Sequence, residues 1–339
     1  MSSAPTADEI ACDAKWLAQA VDPNAGMVRL IAMDRDSYRA ASFLDDRMMQ
    51  APVDAQIVEW TLVEEAVNAD GLRTDARWIF HIGHVGSTLL SRLLGEIPGV
   101  LAIREPRLLR DMALVPPQVR EQYIGSVPKL MSRTFAEDEF ACVKATSFVS
   151  EIAAQLVPPS ERALFMYASP RNYVASILAG ENSVKELRML VQTRAARMAA
   201  RVSGLEAQAQ GDAHLAAAAW ACEMTSLESA AEQMADRKIA WLDFDRMLEN
   251  VPDALGSAAR HFGFRAEPAQ LQAIASGPLM RRYSKALEYD YSPALRRELI
   301  AEAEQHHRRD IESALAMLRS AAEKSPLLAR ALSRAENRT

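Results

Sequence analysis

Short apolar runs recur along the chain, and segments with helical periodicity separate them. Several of these runs are predicted strands: residues 78–82, 100–103, 140–143, 163–168 and 238–243. Residues 183–235 are rich in Ala, Leu, Met and Arg, which predicts helices with breaks near Gly204 and Gly211. Residues 252–262 and 293–322 also have helical patterns. The chain therefore alternates predicted strands with predicted helices.

The stretch at residues 78–107, WIFHIGHVGSTLLSRLLGEIPGVLAIREPR, combines a predicted buried strand, a glycine loop and a helix. The helix begins with the hydroxyl residues Ser87 and Thr88. Its first backbone N–H groups, from Gly86 to Leu89, have no partner within the helix and lie at the positive end of the helix dipole. These groups predict a cradle for phosphate or sulfate, although an ordinary strand, turn and helix fits the same letters.

The loop differs from the phosphate loop of nucleotide kinases, G-x-x-x-x-G-K-[ST]. Gly86 occupies the second glycine position, but His81 stands at the first, and Ser87 replaces the lysine. Asp243 follows an apolar strand, as the magnesium-binding aspartate of a kinase does. Without the lysine, an ATP-dependent kinase is disfavoured.

Polar residues also follow the next predicted strands. Glu105 comes directly after the second strand, Lys144 ends the third, and Arg171 and Ser176 follow the fourth. Ligands of open α/β sheets bind beyond the carboxyl ends of the strands. We therefore expect these side chains to face one cleft, although each alone would also suit a solvated loop.

The flanking segments carry less information. Residues 1–75 contain amphipathic pieces at 11–20 and 38–49 and a predicted strand at 55–63, with no motif that indicates chemistry. We interpret them as a cap over a core at residues 76–275. Residues 276–339 begin with a basic and aromatic stretch whose cations could clamp a phosphate or form a solvated face: Arg281, Arg282 and Lys285.

Composition limits the possible partners and compartments. The net charge of −6 argues against a nucleic-acid partner, so an anionic ligand must be met by a local group of cations. The three cysteines are widely spaced and indicate neither disulfides nor a zinc site, which favours a reducing cytoplasm. The N-terminus lacks a signal-peptide pattern, and no apolar run is long enough to span a bilayer.

The segment HVGSTLLSRLL resembles the loop with which sulfotransferases hold the 5′-phosphosulfate of their donor. In this resemblance Gly86, Ser87 and Thr88 match a Gly-Thr-Thr, and His84 stands where the family has lysine or arginine. The likeness covers roughly residues 77–264 and, more loosely, continues to residue 291. It is strongest to the tyrosylprotein sulfotransferase branch and its bacterial relatives.

The resemblance implies roles for individual residues. Glu105 matches the catalytic base of that branch, and Lys144, together with His84, would meet the charge that develops in the transition state. The motif for the 3′-phosphate of the donor matches at Pro170, Arg171 and Ser176, but its first arginine is replaced by Ala168. Another cation would have to compensate for that change.

We therefore predict an α/β three-layer P-loop fold with a mainly parallel sheet. The predicted function is transfer of a sulfuryl group from 3′-phosphoadenosine 5′-phosphosulfate (PAPS) to a hydroxyl or amine of a small-molecule or peptide acceptor, without a metal and without a membrane partner. Two alternatives stay open: a metal-dependent kinase or phosphotransferase, and an inactive nucleotide-binding protein on the same fold. The sequence determines neither the acceptor nor the oligomeric state.

Overall fold

A computed structural model describes residues 4–69, 71–202, 205, 211–284 and 292–336. The strands within these residues are β1 (Trp16–Asp22), β2 (Met27–Ala32), β3 (Ala55–Glu59), β4 (Arg77–His81), β5 (Val100–Arg104), β6 (Phe140–Lys144), β7 (Arg162–Tyr167) and β8 (Lys238–Asp243). They form a three-stranded and a five-stranded sheet.

The helices of the described residues fall mostly in the second half of the chain. In chain order they are α1 (Ala7–Cys12), α2 (Arg35–Ala40), α3 (Trp60–Val67), α4 (Ser87–Leu94), α5 (Arg107–Leu114), α6 (Pro117–Arg120), α7 (Val127–Ser132), α8 (Ala153–Leu156), α9 (Pro170–Leu178), α10 (Glu181–Met189), α11 (Val191–Met198), α12 (Asp212–Gln233), α13 (Phe244–Glu249), α14 (Val251–Phe262), α15 (Pro268–Ala275), α16 (Pro293–His306), α17 (Arg308–Ala322) and α18 (Pro326–Glu336). Short 3-10 helices cover Asp46–Gln50, Ile124–Ser126, Ser147–Ile152 and Pro278–Arg281.

The central sheet has the strand order β5-β6-β4-β7-β8, and its paired strands are parallel. Strand β4 lies in the middle, and all five of its residues are buried. The chain passes from β4 to β5 at one edge of the sheet and from β7 to β8 at the other edge. Because crossovers between parallel strands are right-handed, these two crossovers lie on opposite faces of the sheet. The predicted α/β fold class with a mainly parallel sheet is confirmed.

The helices that flank the sheet are held by apolar contacts. All eight residues of α4 are buried, and α4 packs against β4, β5, β6 and α14. Helix α12 packs against α9, α17 and α18, with Trp220 fully buried at its centre. No helix of the described residues has both the length and the apolar character needed to cross a membrane.

The N-terminal region differs from the sequence prediction. Residues 16–22 and 27–32 form the antiparallel pair β1 and β2, which the pattern had not predicted. The predicted strand at 55–63 ends at Glu59, and helix α3 begins at Trp60. Trp60, Val63 and Val67 bury one helical face there, so the last part of the strand prediction is wrong.

Candidate active site

The loop between β4 and α4 is shaped by backbone conformations that favour glycine. Gly83 and Gly86 have φ angles of 79° and 61°, and His84 between them has a φ of 53°. A Cβ atom at Gly86 would lie 2.0 Å from the ring of Phe244, so no other residue fits without displacing that ring. The loop is therefore tight, and its backbone comes close to the start of α13.

The first turn of α4 presents unpaired polar groups to a cleft. The first backbone bond of the helix runs from the Leu90 amide to the Gly86 carbonyl, which leaves the amides of residues 87–89 without an acceptor inside the helix. The Thr88 hydroxyl is buried and has no hydrogen-bond partner within the described part of the chain. Ser87, Thr88 and Leu89 all line the cleft. A bound anion would satisfy these donors, so the site fits a phosphate or sulfate group.

Glu105 and Lys144 form an ion pair beside this loop. Lys144 is fully buried at the end of β6, and Glu105, 7% exposed, follows β5. The Lys144 ammonium group donates to Glu105 Oε1, and the Glu105 amide donates to the Lys144 carbonyl oxygen at 2.8 Å. Glu105 has a φ of 52°, a left-handed conformation that is uncommon outside glycine. The backbone hydrogen bond and the side-chain ion pair together hold Glu105 in this backbone conformation and fix the position of its carboxylate.

Further side chains surround the Glu105 carboxylate. Thr146 Oγ1 lies 3.4 Å from Glu105 Oε2, and His81 Nε2 lies 4.0 Å from Glu105 Oε1. His81 Nδ1 accepts the Gly83 amide at 2.9 Å, so a neutral His81 carries its proton on the nitrogen nearer Glu105. The base predicted from sequence thus lies within a buried polar cluster.

The N-terminal region contributes to the same cluster. Arg47 Nη2 lies 3.5 Å from Glu105 Oε2, and the Arg47 guanidinium stacks 3.3 Å above the Phe43 ring. The Leu44 amide donates to the Arg104 carbonyl, and its carbonyl accepts the Arg107 amide, so the segment is paired on both sides of Glu105. Residues 43–47 are therefore part of the cleft wall.

Arg104 anchors the residues that directly precede this segment. Its guanidinium donates to the backbone carbonyls of Tyr38, Arg39 and Ala41. Burial lowers the pKa of Arg104 to about 9. Residues 1–75 contain no sequence motif that indicates this role, because the Arg47–Glu105 contact spans 58 positions and leaves no local pattern.

The residues predicted to hold the donor lie in different places. Ser176 and Arg282 line the cleft with the loop, and Arg281 does not. Arg171 is 40% exposed, lies outside the cleft lining and donates to Glu312 at 2.7 Å, because the first turn of α9 faces α17. Lys285 falls outside the described residues.

A cation from α16 occupies the cleft and was not predicted. The Arg296 guanidinium lies 4.6 Å from the centroid of the Phe244 ring and donates to Asp245. Its Nη2 is buried and has no hydrogen-bond partner among the described residues. Arg296 therefore stacks on the ring that touches Gly86 and keeps donor capacity beside the loop.

His84 also lines the cleft, where its Nε2 lies 3.9 Å from Glu186 Oε2. Asp243 does not line it. The Asp243 carboxylate accepts the amides of Asp245 at 2.8 Å and Arg246 at 3.3 Å, and so caps α13. Among the described residues, no three His, Cys, Asp or Glu side chains come together as a metal site.

These groups share one cleft with a volume of about 1060 Å³. Ligand pockets of proteins usually have volumes of about 300–1,000 Å³, so this cleft lies at the upper end of that range. Away from the loop, its lining contains Ala113, Leu114, Phe148, Glu151, Ser183, Leu190, Thr193, Arg194, Arg197, Glu223, Leu295 and Leu299.

No protein-family model and no curated protein matches the sequence. Among solved structures, a sulfotransferase domain from the curacin biosynthetic pathway is 11% identical, with 68% of this chain and 89% of that chain covered and a TM-score of 0.41. A sulfotransferase domain from the Synechococcus PCC 7002 olefin synthase is 13% identical, with 68% and 86% covered and a TM-score of 0.36. Retinol dehydratase, solved with androsterone and the inactive cofactor PAP, is 11% identical, with 78% and 89% covered and a TM-score of 0.31. Function has to be inferred from the side chains of the cleft.

Proposed function

We propose that the chain is a sulfotransferase that uses PAPS as donor and a hydroxyl or amine as acceptor. The observation that carries this proposal is the buried Glu105–Lys144 pair beside a loop whose helix-start amides have no acceptor inside the helix and whose Thr88 hydroxyl has no partner within the described chain. An acid–base group and an anion cradle in one cleft are the parts that an in-line transfer of a charged group requires.

Residues around the loop would hold the donor. The amides of residues 87–89 and the Thr88 hydroxyl suit its 5′-phosphosulfate, which has several acceptor oxygens. Ser176, Arg282 and Arg296 are the cleft residues suited to its 3′-phosphate, since Ala168 offers no side-chain donor there. When bound, the donor supplies a sulfuryl group joined to a phosphate through an oxygen that leaves as an anion.

Two residues would carry the proton and the charge. Glu105 takes the proton of the acceptor hydroxyl or amine while the oxygen or nitrogen of the acceptor forms a bond to sulfur. Lys144, with the loop amides and His84, stabilises the negative charge on the oxygen released from sulfur. Both side chains are buried, and a charged group acts more strongly in an environment with little water.

A thermal-shift comparison tests the donor assignment. A ligand that binds only the folded state raises the melting temperature. We expect 3′-phosphoadenosine 5′-phosphate (PAP) to raise it in the presence of a metal chelator. A rise with ATP and magnesium, and none with PAP, would instead favour the kinase alternative.

A further inference from the structure

Away from the loop, three arginines share two carboxylates, and two of these arginines, Arg194 and Arg197, line the cleft. Arg197 makes a bidentate pair with Glu223, at 2.8 and 2.9 Å, and donates to Glu151 at 3.0 Å. Arg201 donates twice to Glu151, at 2.7 and 2.9 Å. Burial lowers the pKa of Arg197, but the charge and hydrogen bonds of Glu223 outweigh burial, and the net pKa lies above its usual value. Both carboxylates are thus fully engaged by two of the three arginines.

Arg194 is the third arginine, and its ion pair with Glu223 is the longest in this group. Its Nε lies 3.6 Å from Glu223 Oε1, which is beyond a hydrogen bond. Nε and Nη1 are both buried and have no hydrogen-bond partner in the described chain. The side chain is 12% exposed and lines the cleft. Buried guanidinium N–H groups without acceptors are costly, so an anionic partner in the cleft would stabilise this arrangement.

The other charged groups in this part of the cleft leave the charge balance around Arg194 unchanged. Arg110 lies 3.5 Å from Asp45, and Glu186 faces His84 at 3.9 Å. Within the described chain, neither of these carboxylates forms an ion pair with Arg194. The local balance around Arg194 remains three guanidinium groups to two carboxylates.

Apolar side chains line the same part of the cleft. Leu114 of α5 is 64% exposed, and Leu295 and Leu299 of α16 are 42% and 45% exposed. Leu190 joins them between α10 and α11, and the Phe148 ring lies between the guanidiniums of Arg110 and Arg197, at 6.0 and 5.8 Å. Exposed leucines from separate elements around one cleft indicate a ligand with an apolar body.

We infer that the acceptor is a small molecule with an apolar body and a carboxylate, which Arg194 binds while the hydroxyl or amine of the acceptor faces Glu105. This inference rests on the proposed function for the identity of the reacting group. The carboxylate site itself depends only on Arg194 and the apolar wall. The structure thus assigns acceptor selection to α11, which has no part in the loop or the Glu105 cluster.

Calorimetric titration of the full chain with para-hydroxyphenylacetate and with its uncharged methyl ester tests the inference. A charge-assisted pair contributes about 1.5–3 kcal/mol, so the acid should bind roughly 10-fold to 100-fold more tightly than the ester. Arg194→Gln should abolish this preference, and Arg194→Lys should keep part of it. Arg188→Gln, which removes an exposed arginine paired with Asp212 outside the cleft, should leave the preference unchanged.

Equal binding of acid and ester by the parent protein, or no measurable binding of the acid, would overturn the inference without any variant. So would an acid preference that survives in Arg194→Gln. Parallel titrations with PAP separate the two proposals. A preference for the acid that depends on Arg194, in a protein that does not bind PAP, would support the carboxylate site and contradict the sulfotransferase assignment.

Discussion

Glu105 and Lys144 are joined twice across the carboxyl ends of two neighbouring strands. The Lys144 ammonium group donates to the Glu105 carboxylate, and the Glu105 amide donates to the Lys144 carbonyl. Strands β5 and β6 are parallel, and Arg104 pairs with Lys144 in their register. Glu105, the next residue after Arg104, is therefore brought beside Lys144 when the two strands pair. The candidate base and the candidate cation are therefore placed by the backbone pairing of the central sheet.

Replacing Glu105 should affect turnover much more than donor binding. Glu105→Gln keeps the shape of the side chain but cannot accept a proton, so the rate should fall by roughly 10²–10⁴-fold. PAP affinity, measured by calorimetry, should change little. Glu181→Gln, an exposed change outside the cleft lining, serves as control. An unchanged rate in Glu105→Gln would remove this residue from the mechanism.

Lys144→Met should lower turnover by roughly 10²–10³-fold, because it removes the cation placed to meet the developing charge. Removing one partner of a buried ion pair also costs about 3–5 kcal/mol of stability, so urea unfolding should be measured alongside the rate. The double variant with Glu105→Gln should lose less stability than the sum of the single changes. A variant in which only acceptor binding weakens would contradict the role given to Lys144.

Gly86→Ala tests the shape of the loop. The new methyl group would meet the Phe244 ring, and alanine at a φ of 61° is strained, so both stability and PAP binding should fall. Gly26 has a similar φ of 64° with no atom near the added Cβ position, so Gly26→Ala isolates the backbone cost of about 1–2 kcal/mol. Equal effects of the two changes on PAP binding would show that the contact with Phe244 does not shape the cradle.

Arg296→Gln should weaken PAP binding. The Arg296 guanidinium stacks on Phe244 with a buried Nη2 that has no partner in the described chain, and a lost charge-assisted bond should cost roughly 10-fold in affinity. Arg297→Gln removes the neighbouring exposed arginine and should have no effect. If the parent binds PAP no better than adenosine 5′-phosphate, the 3′-phosphate is not recognised, and the inactive nucleotide-binding alternative gains support.

Only Cys12 among the three cysteines should react with a thiol reagent in the folded protein, since Cys142 and Cys222 are buried. Burial raises the pKa of both buried thiols to about 12, so a change from pH 7 to pH 9 should not convert them to reactive thiolates. Thiol titration before and after Cys12→Ser checks this. A fast reaction of two or three thiols would contradict the buried positions.

The raised pKa of the Cys142 and Cys222 thiols also determines how these two groups change the stability of the protein with pH. Above pH 9.0, the ordinary pKa of a thiol, an unfolded thiol loses its proton while the folded one keeps it. The folded state then binds more protons, so these two groups lower the free energy of unfolding as pH rises from about 9 to about 12. Urea unfolding of Cys142→Ala should show a shallower decline in this range than the parent.

The sequence predicted the parts of the fold whose signals are local. The runs at 100–103 and 140–143 became β5 and β6, each extended by one charged residue, Arg104 and Lys144. The helix predicted at residues 252–262 became α14, which Gly263 caps with a φ of 80°. Local signals also placed Glu105 and Lys144 at strand ends, because a charge directly after an apolar run is visible in the sequence.

The other site residues depend on contacts between distant segments. Arg47 meets Glu105 only because Leu44 pairs with the backbone on both sides of Glu105. Arg296 reaches the loop by stacking on Phe244. Arg194 keeps buried N–H groups without acceptors in the described chain because Glu223 and Glu151 accept from Arg197 and Arg201. Such pairings cannot be predicted from spacing along the chain. Arg171 is the reverse case, since its motif position suggested a ligand and its side chain pairs with Glu312.

Transfer of labelled sulfur from PAPS is the measurement that tests the central claim most directly. We expect the full chain, with a metal chelator present, to move the label to a phenol, alcohol or amine while one PAP is released for each product. Glu105→Gln should lower this rate by roughly 10²–10⁴-fold. If no label leaves PAPS while the terminal phosphate of ATP is transferred in the presence of magnesium, the chain is a phosphotransferase and the sulfotransferase account is wrong.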